Sequence, residues 1–172
     1  TEPLDYERQI LDGHAEITAL DAMSEAELAG QVEDADAIMV YHYFQITRAT
    51  IERLENCKVI VRPGVGYDGI DTVAARDRGI PVCNVPDYGP EEVADSALAM
   101  ILTLARGTHL LNSRQRRCIG EKWNQEQATP IPRLRGRVFA IIGCGRIGTA
   151  AALRAKAFGF DVVFYDPYVP DG

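Results

Sequence analysis

Strand-like and helix-like spacings of apolar positions alternate along this chain from its first residues. Leu4 to Leu11 reads as an amphipathic helix with Glu7 and Arg8 facing water, and Ala15 to Leu20 as a short strand. Ser24-Glu25-Ala26-Glu27 has the pattern of a helix cap followed by acid in the first turn, for a helix running to about Val32. Ala37 to Tyr41 reads as a buried strand. Thr47 is placed to cap a helix that carries Ile51 and Leu54 on its inner face. Val59-Ile60-Val61 is the next strand, running into a glycine-rich loop from Arg62 to Asp71. Asp71 is then placed to cap a helix through Arg78, Gly79 to stop it, and Pro81 to Val85 to form another strand. This rhythm predicts an α/β domain with a mostly parallel sheet.

Turn chemistry at Asp87-Tyr88-Gly89-Pro90 marks a boundary, so residues 1–89 are expected to form one α/β domain and residues 90–172 to begin another. Pro90-Glu91-Glu92 opens a helix in the favoured way, with proline and then acids. The pattern carries that helix from Glu91 to Arg117, with Ala94, Leu98, Ile101, Leu102, Ala105 and Leu110 apolar. So wide an apolar surface suits a helix touching two layers or a second subunit, and a homodimer is expected. A looser stretch, Gly120 to Arg135, leads to an apolar run from Val138 to Ile142.

The most specific chemistry follows that run. Gly143-Cys144-Gly145-Arg146-Ile147-Gly148 opens an alanine-rich helical stretch, and Val162-Val163-Phe164-Tyr165 ends in Asp166, 18 positions past the last glycine. Strand, glycine turn, helix, strand and acid at this spacing are what a dinucleotide site requires. Gly143 permits the tight turn, Gly145 leaves the pyrophosphate room, and Gly148 lets the helix pack on the sheet. The helix N-terminus offers N–H groups to phosphate. Asp166 would accept hydrogen bonds from ribose hydroxyls and repel a 2′-phosphate. Pro167-Tyr168-Val169 supplies no arginine to reverse that preference, so NAD is favoured over NADP. Gly143, Cys144, Gly145, Arg146, Ile147, Gly148 and Asp166 are therefore the candidate cofactor-binding residues.

Charge narrows the partners. Net charge is −7, and residues 1–60 carry 13 acids against 4 bases while the rest carry 12 against 14. The acidic first part argues against general nucleic-acid affinity. Arg114, Arg116 and Arg117 form the one basic cluster, at a helix end where positive charge suits the dipole. The longest apolar run, Ala97 to Ala105, is too short to cross a bilayer. Cys57, Cys83, Cys118 and Cys144 have no metal-like spacing, so no metal site is expected, and reduced thiols point to a cytoplasmic protein.

Several of these segments together resemble the D-isomer-specific 2-hydroxyacid dehydrogenases. The loop Val61-Arg62-Pro63-Gly64-Val65-Gly66-Tyr67-Asp68-Gly69-Ile70-Asp71 is similar to that family's substrate-domain loop. Val82-Cys83-Asn84-Val85-Pro86, Glu91-Glu92-Val93-Ala94-Asp95 and Gly143 to Gly148 stand at the family's positions. Tyr41-His42-Tyr43 and Ala155 to Tyr168 are most similar to the C-terminal-binding protein branch. Eukaryotic members of that branch are NADH-binding corepressors, and its bacterial relatives are mostly dehydrogenases. The resemblance implies a flavodoxin-like substrate domain followed by the first part of a Rossmann NAD-binding domain. It also implies hydride transfer between NAD and C2 of a small 2-hydroxy or 2-keto acid, or an NADH-sensing binding module.

The resemblance further implies that backbone amides at Val65 and Gly66 bind the substrate carboxylate, with Tyr41 and His42 near the same cleft. His42 reads equally well as a strand-end histidine bonded locally. Arg62 is open between substrate contact and a structural ion pair with a nearby aspartate. Trp123 reads as packing between domains, and His14 and His109 carry no functional reading. Hydride transfer to a keto acid needs an arginine to polarise it, a histidine to exchange the proton and a glutamate to keep that histidine protonated. In the family these follow the second nucleotide-domain strand, so no catalytic residue is assigned here. The chain is expected to be the central piece of a protein about twice its length.

Overall fold

Three parallel strands in the spatial order β1 (Ala37–Met39), β2 (Val59–Arg62) and β3 (Val82–Asn84) frame the first part of the chain. The computed structural model describes residues 4–41, 45–118, 120, 122 and 131–168. They divide into two units between Tyr88 and Gly89.

In the first unit the register aligns Ile38, Ile60 and Val82 in one row across the sheet. That row packs on Ile51 and Leu54, from helix α2 (Arg48–Ile51) and the turn after it, and on Ala74 and Ala75 of α3 (Thr72–Asp77). Ile51, Leu54 and Ile60 are fully buried, each contributing roughly 1.5–3 kcal/mol of apolar transfer. The next row, Met39, Val61 and Cys83, lies on the opposite face, where Met39 and Cys83 are exposed. β1 is therefore not the buried strand its composition predicts. It is one of the two edge strands of the described sheet, and its alternate residues are exposed.

Local chemistry explains the element ends. Asp71 caps α3 as expected, accepting the Ala74 N–H at 2.8 Å. Thr47 does not cap α2 with its hydroxyl. Its N–H and hydroxyl instead donate to Glu25 Oε1 at 2.7 and 2.9 Å, and the hydroxyl of buried Thr50 donates to the same oxygen at 2.6 Å. One carboxylate thus satisfies a buried hydroxyl and a free helix-end amide. The helix expected from Ser24 to Val32 is a single 3₁₀ turn, Glu25–Leu28. Gly30 in the left-handed region ends it, and the Glu33 carboxylate accepts the N–H groups of Gly30 and Val32. Residues 15–20 form no strand, because no described strand pairs with them. The helix α1 (Asp5–Leu11) forms where the pattern puts it, but no residue of it is buried.

In the second unit the long expected helix is two. Gly107, with φ of 62°, breaks it into α4 (Pro90–Arg106) and α5 (Thr108–Arg117). The apolar periodicity runs through this glycine, which is why the break is not visible in the pattern. α5 ends in the exposed Arg114, Arg116 and Arg117, as charge placement predicts. Strand β4 (Val138–Ile142), helix α6 (Arg146–Ala157) and strand β5 (Asp161–Tyr165) follow, with β4 and β5 parallel. Phe139 and Ile141 turn inward onto Ala94 and Leu98 of α4 and Ala150, Ala151 and Ala155 of α6. Phe139 meets Phe160 edge to face, with ring centroids 5.4 Å apart. Arg154 ties α6 to α4 by ion pairs with Glu91 at 2.6 Å and Asp95 at 2.5 Å. No described helix is long and apolar enough to cross a membrane.

Candidate functional site

The glycine turn between β4 and α6 is built from three glycines with three separate reasons. Gly143 has φ of 91°, a conformation side chains rarely adopt, and its N–H donates to Tyr165 O at 2.8 Å, extending the β4–β5 ladder by one bond. A Cβ on Gly148 would lie 2.1 Å from Gly143 O and 3.3 Å from Ile141 Cγ2, so α6 can approach the turn only over a bare Cα. Gly145 is different. Its φ of −74° suits any residue and a Cβ there would meet nothing within 4 Å. No described residue of the unit requires glycine at this position, which begins α6 where free N–H groups gather.

Asp166 stands just beyond β5 and faces this turn. Its Oδ2 accepts the Cys144 N–H at 2.7 Å and its Oδ1 the Tyr168 N–H at 2.8 Å. Each carboxylate oxygen keeps a second lone pair for another donor. Thr149 closes the turn from the helix side, its hydroxyl donating to Cys144 O at 3.2 Å. Ile147 is partly exposed beside it. The expected cofactor residues are thus gathered at one end of β4 and β5, with open space at Gly145, an amide-rich helix start and an acceptor opposite. That arrangement fits a dinucleotide: an anion at the turn and a hydroxyl donor at Asp166.

In the first unit, a cavity of about 210 Å³ lies at the ends of β1 and β2, lined by Val40, Tyr41, Arg62 and the segment from Gly66 to Ile70. Among the described residues, the N–H groups of Val65 and Gly66 have no hydrogen-bond acceptor, while Val65 O accepts from the Asn84 side chain at 2.8 Å. Arg62 Nη1 is buried and also lacks a partner, so the ion pair considered for it with a nearby aspartate is not formed at that nitrogen. A Cβ on Gly64 would come within 2.5 Å of that nitrogen, so the missing side chain makes room for the guanidinium. Exposed backbone N–H groups at Val65 and Gly66, close to a half-buried arginine whose Nη1 is buried without a partner, favour an anion. His42 and Trp123 lie outside the described residues. His14 is exposed, and His109 lies 3.3 Å from Thr103 O.

Glu7 also departs from its expected role. Glu7 does not face water alone: it accepts the Tyr41 hydroxyl at 2.6 Å, and that hydrogen bond holds its carboxyl below the usual carboxylate range. The two residues are 34 positions apart, and no local pattern announces such a contact.

The family model for the D-isomer specific 2-hydroxyacid dehydrogenase, catalytic domain, matches residues 1–162. The chain belongs to the D-isomer-specific 2-hydroxyacid dehydrogenase family. C-terminal-binding protein 1 of Caenorhabditis elegans is 41% identical over 170 residues, which cover 96% of this chain and 23% of that protein. D-3-phosphoglycerate dehydrogenase of Methanocaldococcus jannaschii is 37% identical over 171 residues, covering 99% and 32%. The crystal structure of D-lactate dehydrogenase from Aquifex aeolicus complexed with NAD and lactic acid matches with a TM-score of 0.80 at 27% identity, covering 98% of this chain and 49% of that one. The chain therefore spans about half of that structure and less of the two curated relatives. The fold is a flavodoxin-like α/β domain followed by the first part of a Rossmann domain.

Proposed function

We propose that this chain supplies the substrate domain, residues 1–89, and the first part of the NAD-binding domain, residues 90–172, of an NAD-dependent oxidoreductase that reduces a small 2-keto acid to a D-2-hydroxy acid. The observation that carries the reading is Gly145, a glycine that no described residue of its own unit explains, at a helix start opposite Asp166. Gly143, Cys144, Gly145, Arg146, Ile147 and Gly148 would hold the pyrophosphate through backbone N–H groups, and Asp166 the adenosine ribose. NAD, when bound, supplies the hydride exchanged with C2 of the substrate. Asp166 would disfavour a 2′-phosphate by like-charge repulsion, giving NAD preference over NADP. The D-lactate dehydrogenase of similar fold was solved with NAD and lactic acid, which supports both the cofactor and the substrate class.

In the first unit, the exposed N–H groups of Val65 and Gly66 would receive the substrate carboxylate, with Tyr41 beside it and Arg62 adding positive charge, and the family resemblance adds His42 as a further contact. The described residues 4–41, 45–118, 120, 122 and 131–168 provide binding and orientation, and no catalytic acid or base is assigned among them. A homodimer would cover the apolar stripe of α4, where Met100 and Leu104 are 62% and 70% exposed. The four free cysteines suit a reducing, cytoplasmic setting.

The likeness to C-terminal-binding protein 1 supports a second reading, an NADH-sensing binding module without physiologically important turnover. Following NADH oxidation by the intact protein with a panel of 2-keto acids separates the two. Turnover of one acid at ordinary enzyme rates supports the dehydrogenase. Tight NADH binding with no turnover of any acid supports the binding module, and no NADH binding at all contradicts both.

A further inference from the structure

We propose that Glu7 is a positioning residue for the cavity beside β1, fixing the ring of Tyr41 and thereby tuning substrate affinity. The proposal rests on the reading of that cavity as the 2-keto acid site. Tyr41 lines the cavity together with Arg62 and Gly66. It lies two residues beyond the last residue of β1 and is 41% exposed, so packing alone does not hold its ring. Its hydroxyl donates to Glu7 Oε1 at 2.6 Å, the short length of a hydroxyl bonded to an ionised carboxylate. A phenol held at both ends, by its backbone and by Glu7, presents one face to the cavity in place of several rotamers.

The link runs in both directions. No residue of α1 is buried, and its large apolar residues Tyr6 and Ile10 are 79% and 73% exposed. Among the described residues, apolar packing therefore does little to seat this helix, and the Glu7–Tyr41 hydrogen bond fastens it to the end of β1. A helix seated so lightly is drawn from the least stable part of a fold. Cutting the bond should remove this one restraint from the ring and the helix together.

The test uses the intact protein with NADH and three 2-keto acids, glyoxylate, pyruvate and phenylpyruvate. Glu7→Ala should raise KM for the best of these by about fivefold, the usual worth of one hydrogen bond, with kcat changed less than twofold. Tyr41→Phe should give a similar rise, and the double variant no more than either single. Glu7→Gln keeps an acceptor oxygen and should recover most of the affinity. An unchanged KM in Glu7→Ala, or fully additive effects, would overturn the proposal. A second measurement needs no turnover: trypsin cleavage after Arg8, within α1, should speed up in Tyr41→Phe, which leaves the sequence around the cleaved bond unchanged. Cleavage of this variant at the wild-type rate would overturn the link whatever the activity. Faster cleavage of Tyr41→Phe in a protein that reduces none of the three acids would instead fault the reading of the cavity and leave the Glu7–Tyr41 link standing.

Discussion

The Asp166 carboxylate receives the backbone N–H of Cys144 at 2.7 Å, joining the end of β5 to the glycine turn that starts α6. The residue expected to read the ribose thus also shapes the loop expected to hold the pyrophosphate. Asp166→Ala should weaken NADH binding by about tenfold or more, since it removes charged hydrogen-bond acceptors. It should also narrow the preference over NADPH, because the like charge facing a 2′-phosphate is gone. Asp166→Asn retains one acceptor oxygen for Cys144 and should lose less. Titration of both cofactors checks this, and unchanged affinity for both would remove Asp166 from the site.

Gly148 is a structural necessity of the second unit. A methyl group there would sit 2.1 Å from the carbonyl oxygen of Gly143, and backbone cannot swing aside as a side chain can. Gly148→Ala should cost about 1–3 kcal/mol or more as overpacking between α6 and the turn. Thermal unfolding of the intact protein should show a lowered transition. An unchanged transition would mean that α6 can move outward without loss.

Gly64 makes a softer case. Its Cβ would press on Arg62 Nη1, the end of a flexible side chain. Gly64→Ala should therefore leave unfolding nearly unchanged while moving the guanidinium and raising KM for the keto acid by about fivefold, one polar contact's worth. A normal KM would separate Arg62 from the substrate.

Acid should act on the first unit through Glu33. Its carboxyl is held down to about 2 from the ordinary 4.5, first by the Gly30 N–H, with Val32 N–H and Arg53 assisting. A depressed pKa means the stabilisation is complete above pH 4.5 and disappears as pH falls through about 2. Wild type and Glu33→Gln should differ by a constant amount above the upper value and converge below it, in urea unfolding measured across that range. Parallel curves throughout would show that the charge contributes nothing.

Most of the nucleotide unit was legible because its determinants are local. Three glycines at fixed offsets, two apolar runs and Asp166 each occupy the place that their spacing assigns. Asp71 capping α3 is equally local, one side chain reaching three residues ahead. What the spacing did not show depends on distant partners. Thr47 looked like a helix cap, but Glu25, 22 positions away, captures its hydroxyl. Ala37 to Tyr41 looked buried because its residues are apolar, yet β1 is an edge strand with alternate residues exposed. Gly107 breaks α4 from α5 through its backbone angle, which an apolar stripe running across it conceals. Glu7 looked solvent-facing until Tyr41 arrived from the end of another element.

Gly145 is where the proposed cofactor site can be tested most directly, because a Cβ there would meet no described residue within 4 Å. The decisive measurement is NADH titration of wild type and Gly145→Val, with unfolding recorded for both. Wild type should bind NADH, and Gly145→Val should unfold like wild type while losing at least about tenfold in affinity through a blocked pyrophosphate approach. Equal NADH affinity in a folded Gly145→Val protein, or no binding by wild type, would contradict the proposed site.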